Sequence, residues 1–192
     1  MTIQDLVGAA QSCDERFQKW FSWVLPQEID PDANGNIPVE NQHDGAGYTV
    51  AGLTQRDDGI TVITDGIGKL ICTNSPQWFI AKYLSKYWNG IEANLLPYPV
   101  GECVSNFYLN TGEGVKFLQR AINLREGNVA TDNVIGPITI NAALNDSSPK
   151  ALAIQTCTEA MDYYSAIARN YPPEDLIDWT RRTSDLQVAF CS

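Results

Sequence analysis

Three polar side chains between residues 28 and 49 have the types and the order that acid-assisted cleavage of a glycosidic bond requires. Glu28 follows an apolar, helix-like run, and a polar loop leads from it to Asp44 and Thr49. In such a reaction one carboxylic acid protonates the leaving oxygen, and a second polar group directs water or stabilises positive charge. We therefore take Glu28 as the candidate proton donor, Asp44 as the second carboxylate and Thr49 as a hydroxyl that positions water.

The residues before Glu28 predict a helix whose end favours a protonated carboxyl. Pro26 lacks the N–H that the next turn needs, so the helix is predicted to stop there and to leave Glu28 at or just past its C-terminal end. A helix C-terminus disfavours negative charge, and Trp23 and Leu25 partly exclude water. The alternative is a solvated loop glutamate. Apolar residues recur at helical spacing over residues 3–25: Leu6, Ala9, Ala10, Cys13, Phe17, Trp20, Phe21 and Val24.

The segment from residue 29 to 48 predicts a long loop or a small β-hairpin, because Asn34-Gly35 is a hairpin-turn signal. Four oxygen-bearing side chains alternate there as in a calcium-binding loop: Asp30, Asp32, Asn34 and Asn36. Glu40 does not stand at the closing position of such a loop, so we predict no metal and no cofactor. An Asp before a Gly also fits an ordinary turn at Asp44, and Thr49 and Thr54 also fit strand positions.

Composition excludes several classes of protein. The 192-residue chain carries 23 acidic and 13 basic residues, a formal charge of -10, and its basic residues form no cluster for a nucleic acid. No apolar run of about 18 residues predicts membrane insertion, and no secretory signal is visible at the N-terminus. The five cysteines are widely spaced among mostly apolar neighbours, which indicates buried free thiols.

Helical patterns dominate the rest of the chain. Short strands are predicted within residues 48–65, most clearly at 60–64, and Ser75-Pro76 opens a helix that reaches about Trp88. Further helices are predicted at about 100–110, 115–122, 137–144, 149–169 and 173–190. The predicted fold is therefore mainly α (α+β), a helical bundle with a small β-hairpin element beside the site.

Three segments have an order of residues that matches a known family. The first is the apolar helix with its Glu, followed by Asp-Gly-x-Gly-x-Thr-x-x-Gly-Leu-Thr at 44–54. The second is Tyr87-Trp88 with a Leu-Pro step at 96–97, and the third runs from Asn110-Thr111-Gly112 to Leu144. On these segments the chain resembles glycoside hydrolase family 108, the lysozyme-like muramidases of phage endolysin and bacterial secretion-activator type, over about residues 15–185.

The resemblance implies an activity and a domain organisation. Members of the family cleave the β-1,4 bond between N-acetylmuramic acid and N-acetylglucosamine, so the implied partner is a peptidoglycan glycan strand. We expect one lysozyme-like domain over 1–192, with a catalytic half at 15–95 and a helical, peptidoglycan-binding-like half at 100–190. Substrate contacts are expected from five side chains: Tyr48, Thr54, Tyr87, Trp88 and Asn110. Tyr87 also fits the core, and Asn110 also fits a cap on the next helix.

Some positions depart from the family pattern and keep other functions open. The family usually follows its Glu with two glycines, where this chain has Ile29-Asp30. A non-catalytic virion or wall-binding protein with the same fold is therefore one alternative. A chitosanase-like hydrolase is another, because the acidic chain suits a cationic polymer. The expected location is the host cytoplasm and then the periplasm or cell wall through a lysis pore, or the virion, with other virion or lysis proteins as partners.

Overall fold

The computed structural model describes residues 1–41 and 47–192. The chain divides into two compact units, residues 1–85 and 86–192. The described elements are mostly helices, joined in the first unit by two small antiparallel sheets. This confirms the predicted mainly α (α+β) class. The assignment of a catalytic half to 15–95 and a peptidoglycan-binding-like half to 100–190 stays a prediction.

The first unit begins with two helices where the sequence predicted one. Helix α1 spans Ile3–Ala10 and helix α2 spans Glu15–Glu28. The single helix over 3–25 was wrong because the carboxylate of Asp14 accepts hydrogen bonds from the backbone N–H groups of Arg16 and Phe17, which starts a new helix. Pro26 was also wrongly predicted to end the helix, since it lies inside α2 and Glu28 is the last helical residue.

Two small sheets follow. Strands β1 (Glu40–Asn41), β2 (Tyr48–Val50) and β3 (Leu53–Thr54) form one antiparallel sheet in that order, and Thr49 pairs with both Glu40 and Thr54. Strands β4 (Val62–Thr64) and β5 (Leu70–Cys72) form a separate hairpin. Along the chain, helix α3 (Gln55–Asp58) comes between the two sheets. Helix α4 (Pro76–Tyr83) follows the second sheet, and Ser75 is its N-cap.

An aromatic core joins α2 to α4 in the first unit. The rings of Phe17 and Phe21 are stacked with centroids 5.5 Å apart, and Phe21 meets Tyr83 edge-on at 5.1 Å. Trp20 and these three residues have no solvent-exposed surface. Since aromatic pairs contribute beyond the area that they bury, this contact holds the N-terminal half of α2 against α4.

The second unit is helical throughout its described elements. After a π-helical turn at Leu84–Trp88 and two short 3-10 turns come α5 (Val100–Thr111), α6 (Gly114–Leu124), α7 (Pro137–Leu144), α8 (Pro149–Ile167) and α9 (Pro173–Cys191). These bounds agree with the predicted helices to within a few residues. Gly112 ends α5 with a positive φ of 72°, which a glycine adopts without steric cost.

A bidentate ion pair joins the residues that follow the C-terminal ends of α6 and α7. Arg125 donates from Nε and an Nη to the two carboxylate oxygens of Asp146, both at 2.8 Å. The Arg125 hydrogen bonds, and a further one from the backbone N–H of Ser148, lower the pKa of Asp146 despite its partial burial. The charged carboxylate is therefore favoured in the folded state.

We expect Asp146→Asn to lower the free energy of unfolding by about 1–3 kcal/mol at pH 7. Because folding lowers the pKa of Asp146, its contribution is complete above the unfolded-state pKa of roughly 4 and is lost as the pH falls through the folded-state pKa. Urea unfolding of both proteins from pH 7 to pH 3 measures this. The exposed pair of Asp178 and Arg181 supplies the control Asp178→Asn, with little expected change. A difference for Asp146→Asn that stayed constant with pH would contradict the assignment.

Candidate functional site

The side chain of Glu28 packs against the turn between β2 and β3. Oε1 of Glu28 is buried from solvent. A Cβ atom built on Gly52 would lie 2.9 Å from Oε2 of Glu28 and 3.1 Å from the hydroxyl of Tyr83. Only a residue without a side chain leaves space for the carboxylate here, so the glycine in the Gly-Leu-Thr segment has a steric role.

The turn that contacts Glu28 is held in a strained conformation. Ala51 and Gly52 both have positive φ angles, 49° and 71°. For Ala51 this left-handed conformation is unfavourable and needs support from its surroundings. The buried hydroxyl of Tyr83 donates a hydrogen bond of 2.7 Å to the carbonyl of Ala51, 32 residues away in the sequence. Tyr83 therefore links α4 to the turn and, through it, to the acid.

Glu28 and Thr49 line one small cavity. Its volume is about 20 Å³, and its other lining residues are Ile29, Asp30, Ile37, Pro38, Glu40, Ala51 and Gly52. A water molecule needs roughly 10–15 Å³, so the cavity admits a molecule of that size and not a sugar ring. The hydroxyl oxygen of Thr49 is buried and has no hydrogen-bond partner among the residues that the structure describes. The tertiary structure thus brings the predicted acid and the predicted hydroxyl to the same cavity.

Two further carboxylates lie at this cavity that the sequence did not single out for catalysis. Asp30 follows the end of α2, and Glu40 on β1 is the direct cross-strand partner of Thr49. Glu40 could be identified only from the pairing of β1 with β2. Strands as short as the two residues of β1 leave no recognisable pattern in a sequence. Asp44, the predicted second carboxylate, lies at 42–46 and therefore outside the described residues.

The other predicted contact residues of the first unit lie on the same sheet. Tyr48 is half-buried on β2, where it pairs with Asn41. Thr54 pairs with Thr49 across β2 and β3, and its hydroxyl caps α3 by accepting a hydrogen bond of 3.1 Å from the backbone N–H of Asp57. Thr54 therefore lies next to Thr49 in the sheet, and its hydroxyl is occupied by the helix cap.

The predicted contact residues of the second unit have different surroundings. Tyr87 and Trp88 are buried, and the indole N–H of Trp88 donates to the side-chain oxygen of Asn94 at 3.0 Å. The burial of Tyr87 agrees with the alternative that this residue belongs to the hydrophobic core. Trp88 is buried in the same way. Asn110 is exposed near the end of α5, while the hydroxyl of Thr111 accepts from the backbone N–H of Glu113 ahead of α6. The capping contact before α6 thus comes from Thr111.

A larger groove of about 570 Å³ lies in the first unit and shares Ile37 and Pro38 with the small cavity. Its lining is mixed, with Asp32, Asn36 and Lys69 beside apolar side chains of β2 and β5. Its volume falls within the range of about 300–1,000 Å³ that is typical of small-ligand sites. The groove therefore adjoins the cavity at Glu28 through these two shared residues.

The loop that resembles a calcium-binding loop, residues 30–36, is held by hydrogen bonds within the loop itself. The carboxylate of Asp32 accepts from the backbone N–H groups of Asn34 and Asn36 and from the side-chain amide of Asn36. The bonds from Asn36, followed by that from Asn34, lower the pKa of Asp32. In the part of the chain that the structure describes, no group of three or more His, Cys, Asp or Glu side chains is arranged to hold a metal ion. Nor does any helix within residues 1–41 and 47–192 combine the length and apolar character needed to cross a membrane.

Comparison with known proteins supports the fold. No protein-family model matches the chain. No curated protein matches it in sequence. Among solved structures, the chain is similar to SagA of Brucella abortus, with a TM-score of 0.63 and 20% identity over 91% of this chain and 95% of that chain. Likeness at this identity shows a shared fold, and together with the element composition it confirms the predicted lysozyme-like α+β class.

Proposed function

We propose that the protein is a peptidoglycan hydrolase, an N-acetylmuramidase that cleaves the β-1,4 bond between N-acetylmuramic acid and N-acetylglucosamine. One observation carries the proposal: the Glu28 carboxyl at the end of α2, packed on Gly52, shares a water-sized cavity with the hydroxyl of Thr49. A shielded carboxyl next to a group that can hold water is the arrangement that protonation of a glycosidic oxygen and attack by water require.

In this mechanism Glu28 donates its proton to the leaving oxygen as the glycosidic bond breaks. Thr49 accepts a hydrogen bond from the attacking water and orients it toward the anomeric carbon. The proton that this water loses passes to the second carboxylate in an inverting reaction, or back to Glu28 in a retaining one. Asp44 is our candidate for the second carboxylate, and Glu40, which lies beside Thr49 across the sheet, is the candidate among the described residues. A separation of about 6.5–9.5 Å between the two carboxyl groups would favour inversion, and about 5–5.5 Å would favour retention.

The substrate class follows from the sequence resemblance and from the space beside the acid. The segments that resemble glycoside hydrolase family 108 include Gly52, whose steric role at Glu28 is independent of any relative. The groove of about 570 Å³ next to the small cavity supports binding of a glycan strand. The half-buried ring of Tyr48 on β2 suits the apolar face of a sugar.

We propose the cell wall as the place of action, reached through a lysis pore or carried on a virion. The charge of -10 does not favour long-range attraction to an anionic wall polymer, so recognition rests on short-range contacts in the groove. Other virion or lysis proteins are partners in either setting.

A digest of purified peptidoglycan tests the proposal. Incubation with the protein is expected to release muropeptides that carry a reducing muramic acid end, identified by mass before and after borohydride reduction. Muropeptides with an anhydro ring would instead indicate lytic transglycosylase chemistry. Release of glucosamine oligomers from chitosan, without muropeptides, would favour the chitosanase alternative.

A second candidate is a non-catalytic protein that binds cell walls. Two observations favour it. Ile29 and Asp30 line the cavity at positions where the family that the sequence resembles has glycines, and the cavity has a volume of only about 20 Å³. Co-sedimentation with insoluble peptidoglycan without any soluble product would support this candidate and contradict the muramidase.

A further inference from the structure

Three cysteines from distant parts of the sequence meet inside the second unit. Sγ of Cys103 on α5 lies 4.0 Å from Sγ of Cys191 at the end of α9 and 4.0 Å from Sγ of Cys157 on α8. Cys103 and Cys157 have no exposed surface, and Cys191 is 4% exposed. All three are free thiols in the structure, as are the half-buried Cys13 and Cys72 of the first unit.

We propose that Cys103 and Cys191 form a disulfide when the protein meets an oxidising disulfide compound, and that this bond staples the end of α9 to α5. Cys157 remains a thiol in the oxidised protein. The inference does not depend on the proposed function, because every residue in it belongs to the second unit and none lies at the Glu28 site.

The geometry favours Cys191 over Cys157 as the partner of Cys103. A disulfide needs its sulfurs about 2.05 Å apart, so either pair must close by roughly 2 Å. Cys157 lies in the middle of α8 and is packed on all sides, so such a shift would move a long helix. Cys191 is the last helical residue of α9, and the final turn of a helix opens at low free-energy cost. That opening also gives the oxidant access to its sulfur.

The electrostatic environment distinguishes the two sulfurs. A hydrogen bond from the Cys103 thiol lowers the pKa of Cys191, helped by the positive charge of Lys150 and opposed by burial and by Glu102. The pKa of Cys103 is raised well above its ordinary value, because its contacts with Cys157 and Cys191 and its burial favour the thiol. The thiolate is the nucleophile in thiol–disulfide exchange. Of the three sulfurs, that of Cys191 is the one that the opening of the α9 end exposes to the oxidant, so Cys191 attacks first.

The exchange balances with an oxidant such as oxidised glutathione. The thiolate of Cys191 attacks one sulfur of the oxidant, whose S–S bond breaks and releases one glutathione thiolate. The thiol of Cys103 then gives its proton to that leaving thiolate and attacks Sγ of Cys191, which expels the second glutathione. The second glutathione leaves as a thiolate and takes from water the proton that Cys191 had released. Two protein thiols have been oxidised by two electrons, and the oxidant has been reduced to two thiols.

The bond would close a long stretch of chain. Residues 103 and 191 are 88 positions apart, and cross-links over long stretches restrict the unfolded chain most strongly in the chain-entropy view. The thiols would stay reduced in a reducing cytosol and pair in an oxidising compartment. The oxidised protein would therefore resist unfolding more than the newly made one.

Peptide mapping tests the proposal in a full-length chain that carries Cys13→Ser and Cys72→Ser, which leaves the three clustered thiols. After treatment with oxidised glutathione, the intact mass is expected to fall by two hydrogens, and the digest is expected to contain a peptide pair joined through Cys103 and Cys191. Adding Cys191→Ser should abolish the loss of mass, and adding Cys157→Ser should leave it unchanged. The oxidised chain should also melt roughly 10 °C higher than the reduced chain.

Other outcomes would overturn the proposal. These are a bond between Cys103 and Cys157, a lasting glutathione adduct on Cys191, a link between two copies of the chain, or a full set of unreacted thiols. An unchanged melting temperature after complete cross-linking would overturn the stapling role. Circular dichroism of each variant before oxidation establishes that the serine replacements leave the helices in place.

Discussion

Glu28→Gln is expected to reduce the rate of peptidoglycan cleavage about a thousandfold while leaving the fold intact. The substitution keeps the size and hydrogen-bonding reach of the side chain, and it removes the proton that the leaving oxygen needs. Since the glutamine still fits beside Gly52, we expect the melting temperature and the binding of insoluble peptidoglycan to change little. The rate is measured as reducing ends released from purified peptidoglycan, with thermal unfolding followed in parallel.

Glu15→Gln is the matched control for this prediction. Glu15 is exposed at the opposite end of the same helix, so it tests the loss of one carboxylate from α2 without touching the cavity. We expect close to full activity in Glu15→Gln. Full activity in Glu28→Gln would remove Glu28 from the mechanism, and Glu40→Gln and Asp30→Asn would then be the next variants to test.

Gly52→Ala is expected to lower the free energy of unfolding by about 1–3 kcal/mol and to reduce activity at least tenfold. The φ angle of 71° is unfavourable for alanine, and the added methyl group would lie 2.9 Å from Oε2 of Glu28. The carboxyl must therefore move away, and displacement of a catalytic group by even 1 Å is costly to the rate. Urea unfolding and the same reducing-end assay measure the two effects.

Gly59→Ala separates backbone strain from displacement of the acid. Gly59 ends α3 with a φ of 81°, and a Cβ atom there would meet no atom within 4 Å. This variant should lose stability from strain alone and keep its activity. If both variants were equally active, the contact between Gly52 and Glu28 would have no part in positioning the acid.

The sequence determined most of the helices, because their signals are local. Ser75-Pro76, the Gly112 that ends α5 and the apolar spacing from α5 to α9 each act within a few residues, and the predicted and observed bounds agree closely. The errors arose where neighbouring signals compete. The cap at Asp14 divided a continuous apolar pattern into two helices, and Pro26 near the end of α2 removed one donor without stopping the helix.

The candidate site depended on contacts that no local pattern encodes. The sequence placed Glu28 at a helix end and Thr49 on a strand, but the pairing of β1 with β2 and the bond from Tyr83 to Ala51 decided what surrounds them. Those contacts also brought Glu40 beside Thr49. They arise when distant segments pack together, because burial and hydrogen bonding then select one arrangement among many with the same local preferences.

The cysteines divide in the same way between sequence and tertiary structure. Their apolar neighbours predicted buried thiols, and Cys103, Cys157 and Cys191 are buried. That these three meet at 4.0 Å depends on how α5, α8 and α9 pack, since they are separated by 54 and 88 positions in the chain. Hydrophobic spacing along a helix determines which face is buried, and only the packed bundle decides which side chains meet on that face.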